Sequence, residues 1–314
     1  MYLRKGLSLV EVLTAIFIMG LGVISILTLF PLGAMRMGQA FRDERSALAA
    51  YSADQFFRSY WKTYVVEALA PDPFFQALDQ PAPGMPPCLP HEASYPVMVD
   101  PMGYLARAGQ PNQNWLGDPP TLTRISRRNL QIVGNNPFAA LALCSLRDGV
   151  VTDDNGTPIP DRELRYNFLW VVQRPINANR FYANMTVVVF DRRAHMYAPP
   201  GSEQVFHRPI FTPGQTRLFL TGVSRNQIEI RSGDWVMDAT IHDPTSGLNV
   251  GRAGMRHAQF YRVTAITETA AGTQLEVEPP LRNPADGNST PYLGTLVLLR
   301  GVSGVFIRSP LTGN

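Results

Sequence analysis

The sequence has few of the residues from which catalytic and metal sites are commonly built. Its 314 residues include two cysteines and five histidines. They form no CxxC pair, no HExxH helix and no other zinc spacing. The sequence also lacks a P-loop and a G-x-S-x-G nucleophile turn. These absences exclude the metal, nucleotide and hydrolase sites that a motif can reveal. We therefore expect no enzyme activity, no cofactor and no metal.

The chain also lacks a large excess of positive or negative charge. The chain has 28 basic and 25 acidic residues, with a formal net charge of +3, and its lysines are Lys5 and Lys62 alone. A near-neutral chain does not predict electrostatic binding of nucleic acid. The doublets Arg127-Arg128 and Arg192-Arg193 are interpreted as solvated faces, and contact with an acidic polymer is the alternative.

A long uncharged run dominates the N-terminal part of the sequence. It extends from Val12 to Leu32, and as a helix it would be about 32 Å long, enough to span a bilayer. Glu11 lies immediately before it, and the first six residues, Met-Tyr-Leu-Arg-Lys-Gly, are short and basic. A carboxylate at the start of such a helix is costly in lipid unless it finds a partner.

The order of these features resembles a known family. Residues 6–15 read Gly-Leu-Ser-Leu-Val-Glu-Val-Leu-Thr-Ala, which is similar to the N-terminus of type IV prepilins and pseudopilins, particularly minor pilins of the PilV type. The similarity covers roughly residues 1–40. It implies that a membrane prepilin peptidase cleaves between Gly6 and Leu7 and methylates the new amino terminus. Leu7 departs from the commoner Phe or Met but remains large and apolar.

The chemistry of Glu11 agrees with that resemblance. After cleavage, Leu7 would carry a cationic amine four residues before the Glu11 carboxylate, on the same helix face. An unpaired buried charge costs on the order of several kcal/mol. In a bundle of subunits, Glu11 is therefore expected to pair with the Leu7 amine of a neighbour and to set the register of assembly.

Two other kinds of segment fit the N-terminal run less well. A plain signal-anchor helix would leave Glu11 without a role. A secretory signal peptide has an apolar core of about 7–15 residues and then a small-x-small cleavage site. Here the apolar run is longer, and the tripeptide Gly38-Gln39-Ala40 lies far beyond it.

The helix is expected to continue to about Leu69, before Pro71 and Pro73 end it. Small and aromatic residues recur at helical spacing in its last part: Ala50, Ala53, Phe57, Tyr60, Trp61 and Tyr64. We interpret this stripe as the face that packs on a sheet, with a subunit contact as the alternative. Pro31 is expected to kink or loosen the helix, unless it is simply tolerated there.

The rest of the chain predicts β-structure after a proline-rich, irregular stretch over residues 70–120. Residues 164–173 and 181–191 have strand composition. A second series of short strands is expected at 217–222, 227–231, 235–240, 260–267, 273–278 and 294–300. That spacing favours a small barrel or sandwich.

The predicted fold class is α+β. A long N-terminal transmembrane helix packs on an antiparallel β-sheet, which the resemblance identifies as a pilin-like head, and an extra C-terminal β-barrel or sandwich follows. The predicted organisation is a leader at 1–6, a helix at 7–69 that spans the membrane to about 32, a head at 70–212 and a β-rich unit at 213–314.

Two local features of the head leave alternatives open. Asp100-Pro101-Met102-Gly103 is similar to the Asp-Pro-x-Gly turn of pseudopilin heads, and an ordinary tight turn is the alternative. Cys88 and Cys144 could form a disulfide if the head lies in an oxidising compartment, where it would contribute about 4 kcal/mol in the chain-entropy model. Two free buried thiols are the alternative.

The resemblance implies a structural subunit of a type IV pilus or of a type II secretion pseudopilus. Its expected partners are the prepilin peptidase, other pilin or pseudopilin subunits and the bacterial inner membrane, with the head outside the cytoplasm. The alternative is a membrane-tethered enzyme or binding module whose activity resides in residues 213–314. A deep cleft with converging polar groups would favour that alternative.

Overall fold

A computed structural model describes residues 9–82, 85–89, 91–110, 113–116, 123–146, 165–191, 193, 203–242, 250–252, 254–283 and 289–313. The fold is α+β, with an N-terminal apolar helix and β-sheets, as predicted. The chain divides into two compact units, Met1–Arg45 and Ser46–Asn314. The predicted leader and cleavage site, Gly6 and Leu7, lie outside the described residues.

The first helix is long and uninterrupted. Helix α1 comprises Leu9–Trp61 and is helical through Pro31. A π-helical segment, Lys62–Val66, follows it, so regular helix stops shortly before the predicted end at Leu69. The short helices α2 (Pro73–Asp79), α3 (Pro101–Ala106) and α4 (Pro137–Leu143) come next.

These three short helices begin in the same way. Each has proline as its first residue, and the preceding Asp72, Asp100 or Asn136 accepts a hydrogen bond from a backbone N–H of the first turn. Proline has no N–H to leave unsatisfied at this position, and the capping oxygen satisfies one of the others. These three Asp-Pro and Asn-Pro pairs therefore mark helix starts rather than plain turns.

The head contains one sheet with the strand order β11-β4-β3-β1-β2. Its strands are β1 (Val97–Val99), β2 (Ser126–Arg128), β3 (Tyr166–Gln173), β4 (Ala183–Asp191) and β11 (Val302–Leu311). The sheet is mixed rather than antiparallel as predicted, because β2 runs parallel to β1. The last strand of the chain also returns to the head, pairing antiparallel with β4.

A closed barrel makes up the rest of the second unit, with the order β10-β5-β6-β9-β8-β7. Its strands are β5 (Glu203–Phe211), β6 (Arg217–Thr221), β7 (Trp235–Asp238), β8 (Gln259–Thr269), β9 (Gly272–Glu278) and β10 (Tyr292–Leu299). The barrel begins at Glu203, not at 213. The strand predicted at 227–231 is wrong: the 3₁₀ turn Arg225–Gln227 and irregular backbone occupy this region.

Both faces of the head sheet are covered by apolar side chains. In β3, Phe168, Trp170 and Val172 join a core that includes the last part of α1. The alternate residues Leu169 and Val171 join a second core that includes outward-facing barrel residues such as Met237, Val297 and Leu299. A third core fills the barrel. The sheet is therefore the middle layer between helix and barrel, and β3 is buried on both sides.

The aromatic stripe of α1 packs on this sheet, as predicted. Ala50, Ala53 and Phe57 have no exposed surface. The rings of Phe57 and Trp170 stack with centroids 5.0 Å apart, and Trp170 Nε1 donates a 3.0 Å hydrogen bond to the Ala53 carbonyl. The small alanines let the helix backbone approach the indole closely enough for this bond.

A buried polar contact holds the end of the helix. Tyr60 Oη donates to Asp72 Oδ2, and the backbone N–H of Gln131 donates to the same carboxylate at 2.9 Å. Burial and the Asp72 charge raise the pKa of Tyr60, so the phenol stays protonated and remains a donor. Asp72 thereby links α1, α2 and the segment after β2.

Removing the Phe57 ring should destabilise this unit. Phe57→Ala is expected to lower the free energy of unfolding by about 3–5 kcal/mol, because it leaves a cavity between α1 and Trp170. Tyr51→Ala is the matched control, since Tyr51 lies on the same helix and is 60% exposed. Urea unfolding in mild detergent, followed by tryptophan fluorescence, measures both. Equal losses for the two variants would contradict the proposed packing.

Candidate functional site

The first part of α1 presents an apolar surface. Residues Leu9–Leu27 form a helical stretch long and apolar enough to cross a membrane. Leu9 and Phe30 are 78% and 77% exposed. Glu11 is also exposed and is the acid in the first turn of the helix. An exposed helix that is apolar on all sides requires lipid or other helices around it.

A cluster of buried charges lies in the head, around Asp100. Asp100 follows β1 and caps α3, with Oδ1 accepting from the Gly103 N–H at 3.0 Å. Arg193, beyond the end of β4, binds the same carboxylate with both terminal nitrogens, at 2.8 and 2.6 Å. Arg127 Nε lies 3.5 Å from Asp100 Oδ2. The fork of a guanidinium matches the two oxygens of a carboxylate, which makes the Arg193 pair strong and directional.

The cluster extends to the barrel through Glu203. Arg127 Nη2 donates to Glu203 Oε1, and Arg107 Nη2 lies 3.6 Å from Glu203 Oε2. Glu203 is the first residue of β5, and Arg127 belongs to β2. The ion pairs therefore connect the edge of the head sheet to the point where the barrel starts.

Gly103 is required by the packing of this cluster. A Cβ at this position would lie 2.1 Å from Asp100 Oδ2 and 2.9 Å from Arg193 Nη2. Each fixed residue of the Asp-Pro-x-Gly sequence therefore has a physical role here. The aspartate caps helix α3 and pairs with Arg193, the proline starts the helix, and the glycine leaves room for the Arg193 guanidinium. A simple tight turn does not describe it.

The interpretation of the basic doublets as solvated faces is wrong for Arg127 and Arg193, which are 0% and 8% exposed. Sequence alone could not separate a buried arginine from an exposed one, because the paired acids are distant along the chain. Burial alone would raise the pKa of Asp100, but the guanidinium groups of Arg193 and Arg127 outweigh it and hold that pKa below its usual range.

A second polar cluster lies inside the barrel, where most neighbours are apolar. Asp238 is fully buried and accepts from Tyr292 Oη at 2.8 Å and from the Thr240 N–H at 3.0 Å. His257 Nδ1 lies 3.1 Å from Asp238 Oδ2. Gly294 makes space for the cluster, since a Cβ there would lie 2.4 Å from Thr240 Oγ1 and 2.5 Å from Phe211.

This arrangement fixes the orientation of the His257 ring. Because a carboxylate accepts hydrogen bonds, this contact requires Nδ1 of His257 to be the donor. The histidine side chain is 12% exposed. This cluster could not be predicted from the sequence, because the spacing of Asp238, His257 and Tyr292 matches no motif and barrel closure brings them together.

The disulfide predicted between Cys88 and Cys144 is not formed in this structure, where both are free thiols. Cys144 is buried in the core on the α1 side of the sheet. Cys88 Sγ lies 3.2 Å from Arg256 Nη1, and the Arg256 guanidinium stacks on Tyr95, which belongs to the core on the opposite face. Burial raises the pKa of both thiols, so they remain protonated.

The described residues also contain an open depression, separate from the Asp238 cluster. It has a volume of about 500 Å³ and is lined by Arg225, Ile228, Glu229, Ile230, Arg231, Asp234, Arg300 and Gly301. The charged lining residues lie at a surface open to solvent rather than converging in a deep cleft. Within the described parts of the chain, no group of three or more His, Cys, Asp or Glu side chains could hold a metal ion.

No family model matches this chain, and no curated protein matches it. The solved structure of the phage phi92 endosialidase is similar over 46% of this chain and 18% of that chain, with 9% sequence identity and a TM-score of 0.18. This chain therefore matches a small part of that protein's length. Similarity at this level carries no argument about fold or function.

Neutralising Asp100 should destabilise the fold in a pH-dependent way. At pH 7, Asp100→Asn is expected to lower the free energy of unfolding by about 3–5 kcal/mol, because it leaves Arg193 buried without its counter-charge. A carboxyl whose pKa is lowered by folding contributes stability above its unfolded pKa, about 3.9. That contribution is lost as pH falls through the lower folded value, so the variant and the wild type should converge in acid.

Urea unfolding between pH 7 and pH 3 measures this difference. Asp191→Asn is the matched control, since the Arg165–Asp191 pair is partly exposed, with side chains 24% and 28% accessible. Asp191→Asn should lower the free energy of unfolding by about 1 kcal/mol or less. A difference between Asp100→Asn and wild type that stays constant down to pH 3 would contradict the role of the ionised carboxylate.

Proposed function

We propose that this chain is a pilin-like structural subunit, a minor pilin or pseudopilin, that is processed by a prepilin peptidase and assembled in a type IV pilus or a type II secretion pseudopilus. The observation that carries the proposal is the N-terminal helix. Its exposed apolar surface over Leu9–Leu27 begins with one acid, Glu11, which stands five residues after Gly6 in the sequence.

The helix has two chemically different parts, which supports this proposal. The first presents apolar side chains outward, and the second, from Ser46, buries small and aromatic residues against the sheet. A helix of this kind can hold a folded head while its other part lies among lipids or neighbouring helices. We place the N-terminus in the cytoplasm and the head outside the bacterial inner membrane.

The Asp100-Pro101-Met102-Gly103 turn gives weaker support. It is similar to the Asp-Pro-x-Gly turn of pseudopilin heads, and Gly103 has a steric reason to be glycine, because a Cβ there would clash with Asp100 and Arg193. The helix remains the main argument.

A membrane-tethered enzyme or binding module is the second candidate function. The observation that favours it is the Asp238–His257–Tyr292 cluster, which has the hydrogen-bond order of an acid–base group. The large depression among the described residues lies elsewhere on the barrel surface, and this separation favours the assembly role.

Processing of the N-terminus is the first test. We expect mass spectrometry of protein from native membranes to find a mature chain that starts at Leu7 and carries a methyl group on its amine. Gly6→Val should leave full-length protein in the membrane, because the bulky side chain blocks the peptidase.

Gly22→Val is the matched control, since a Cβ at Gly22 would meet no atom within 4 Å and its site lies outside the cleavage motif. It should be processed normally. A mature chain that starts at Met1 or at Phe41 would contradict the proposal, the latter by indicating a secretory signal peptide.

The second test separates anchoring from assembly. Glu11→Leu should be retained in the membrane at least as well as wild type, because it removes a charge that is costly in lipid. It should nevertheless be depleted from sheared filaments or co-purified partner complexes, because the pair with the Leu7 amine of a neighbour is lost.

Glu44→Leu is the control for this experiment, since Glu44 is an exposed acid on the same helix outside the apolar run. It should be incorporated normally. A processed Glu11→Leu variant that is also incorporated normally would remove the assembly role of Glu11 and leave a plain membrane anchor.

A further inference from the structure

The depression on the barrel surface has an apolar floor and a charged rim. Ile228 and Ile230 are buried in the barrel core, while the guanidinium-bearing residues Arg225, Arg231 and Arg300 line the rim. Glu229 and Asp234 are the acidic residues of the same lining. The lining therefore carries more positive than negative charge. Its volume of about 500 Å³ is within the range of small-ligand sites.

The wall of the depression is held in place by backbone contacts. The turn at Arg225–Gln227 has a capping box between Ser224 and Gln227. The Asp234 carboxylate accepts from the backbone N–H of Arg231 at 2.7 Å, and Asp234 is further tied to β8 by the Val263 N–H, which donates to its carbonyl at 2.8 Å. These lining residues are therefore already ordered before a ligand binds, which lowers the conformational-entropy cost of binding.

The arginines of the rim are available to an incoming anion in different degrees. The Arg231 side chain is exposed and makes no hydrogen bond or ion pair with any residue that the structure describes. Arg300 Nη2 lies 2.8 Å from Glu229 Oε2, but these side chains are 37% and 63% exposed. Arg225 Nη1 already donates to the Ile228 carbonyl at 3.0 Å.

The Arg300–Glu229 pair should be easy to exchange. Exposed ion pairs contribute little to stability, because water solvates both charges well. An external oxyanion could therefore take the place of Glu229 at Arg300 at little cost. It could also reach Arg231, whose guanidinium pairs with no acid among the residues that the structure describes. Two guanidinium groups with planar, bidentate donors suit carboxylate and phosphate oxygens.

We propose that this depression is a binding site for a ligand that presents a carboxylate or phosphate group, with Arg231 and Arg300 as the principal donors and Glu229 as an internal competitor. Ile228 and Ile230 are buried beneath this surface, so the recognition is assigned to the charged groups. The inference does not depend on assembly into a pilus, since it rests on the barrel surface alone.

Ligand-observed NMR on the full chain in uncharged detergent tests the proposal. The probes are inorganic phosphate, monitored by its ³¹P linewidth, and N-acetylglutamate, monitored by saturation transfer. N-acetylglutaminamide, in which both carboxylates are replaced by amides, is the neutral control. Either anion should bind more strongly than N-acetylglutaminamide, and the stronger one identifies the source of the oxyanion. Binding should weaken as ionic strength rises, because the rim is exposed to solvent.

Substitutions that are expected to change the affinity in opposite directions make the test specific. Arg231→Gln and Arg300→Gln should each weaken binding of the preferred anion about tenfold, since each removes a charge-assisted donor. Glu229→Gln should strengthen it severalfold, because it frees Arg300 and removes a repelling charge. Arg217→Gln is the matched control: this exposed barrel arginine pairs with Glu276 outside the depression and should leave binding unchanged.

Results of two kinds would overturn the proposal. One is N-acetylglutaminamide binding as well as the anions, or no detectable binding of either anion. The other is a set of variants that all bind alike, or Glu229→Gln binding more weakly than wild type. All substituted side chains are at the surface, and circular dichroism of each variant verifies that the fold is retained.

Discussion

Burial of the head sheet on both faces is the constraint on which the second unit depends. Strand β3 sends Phe168 and Trp170 to the helix side and Leu169 and Val171 to the barrel side. A sheet that is apolar on both faces must pack against another layer on each side, because an unpacked face would expose a large apolar patch to water. The helix and the barrel are therefore both parts of one folded unit, and the sheet between them is the element they share.

The buried ion pairs around Asp100 act at the junction of these layers. Apolar residues of the same volume would often stabilise such a position as well or better. Buried charges, however, require partners of opposite sign: here Asp100 pairs with Arg193, and Glu203 pairs with Arg127. We infer that this cluster selects where the chain crosses from the head sheet into the barrel, in addition to whatever stability it provides.

The chain combines two kinds of chemistry. Its N-terminal part offers a continuous apolar surface with one acid, which suits lipids and helix bundles. Its barrel offers polar groups, both inside at Asp238 and outside at the rim of the depression. The proposed pilin-like role uses the helix for retention and stacking, and the proposed binding role uses the barrel surface, so the two proposals are compatible.

Local features of the sequence were sufficient to predict the apolar helix, the stripe of α1 that packs on the sheet, and most barrel strands. These depend on hydrophobic periodicity and on strand composition, which neighbouring residues carry by themselves. The strands Glu203–Phe211 and Val302–Leu311 were missed, because the first is rich in polar residues and the second follows β10 after a tight turn at Gly301.

Tertiary structure alone decided how these elements combine. In the folded chain, the last strand, β11, pairs with β4 of the head sheet, and β2 runs parallel to β1. Cys88 and Cys144 lie on opposite sides of that sheet. It also assembled the clusters around Asp100 and Asp238, whose members are far apart in sequence. Pairing between distant strands and charges depends on which surfaces meet after the layers pack, and no local pattern in the sequence contains that information.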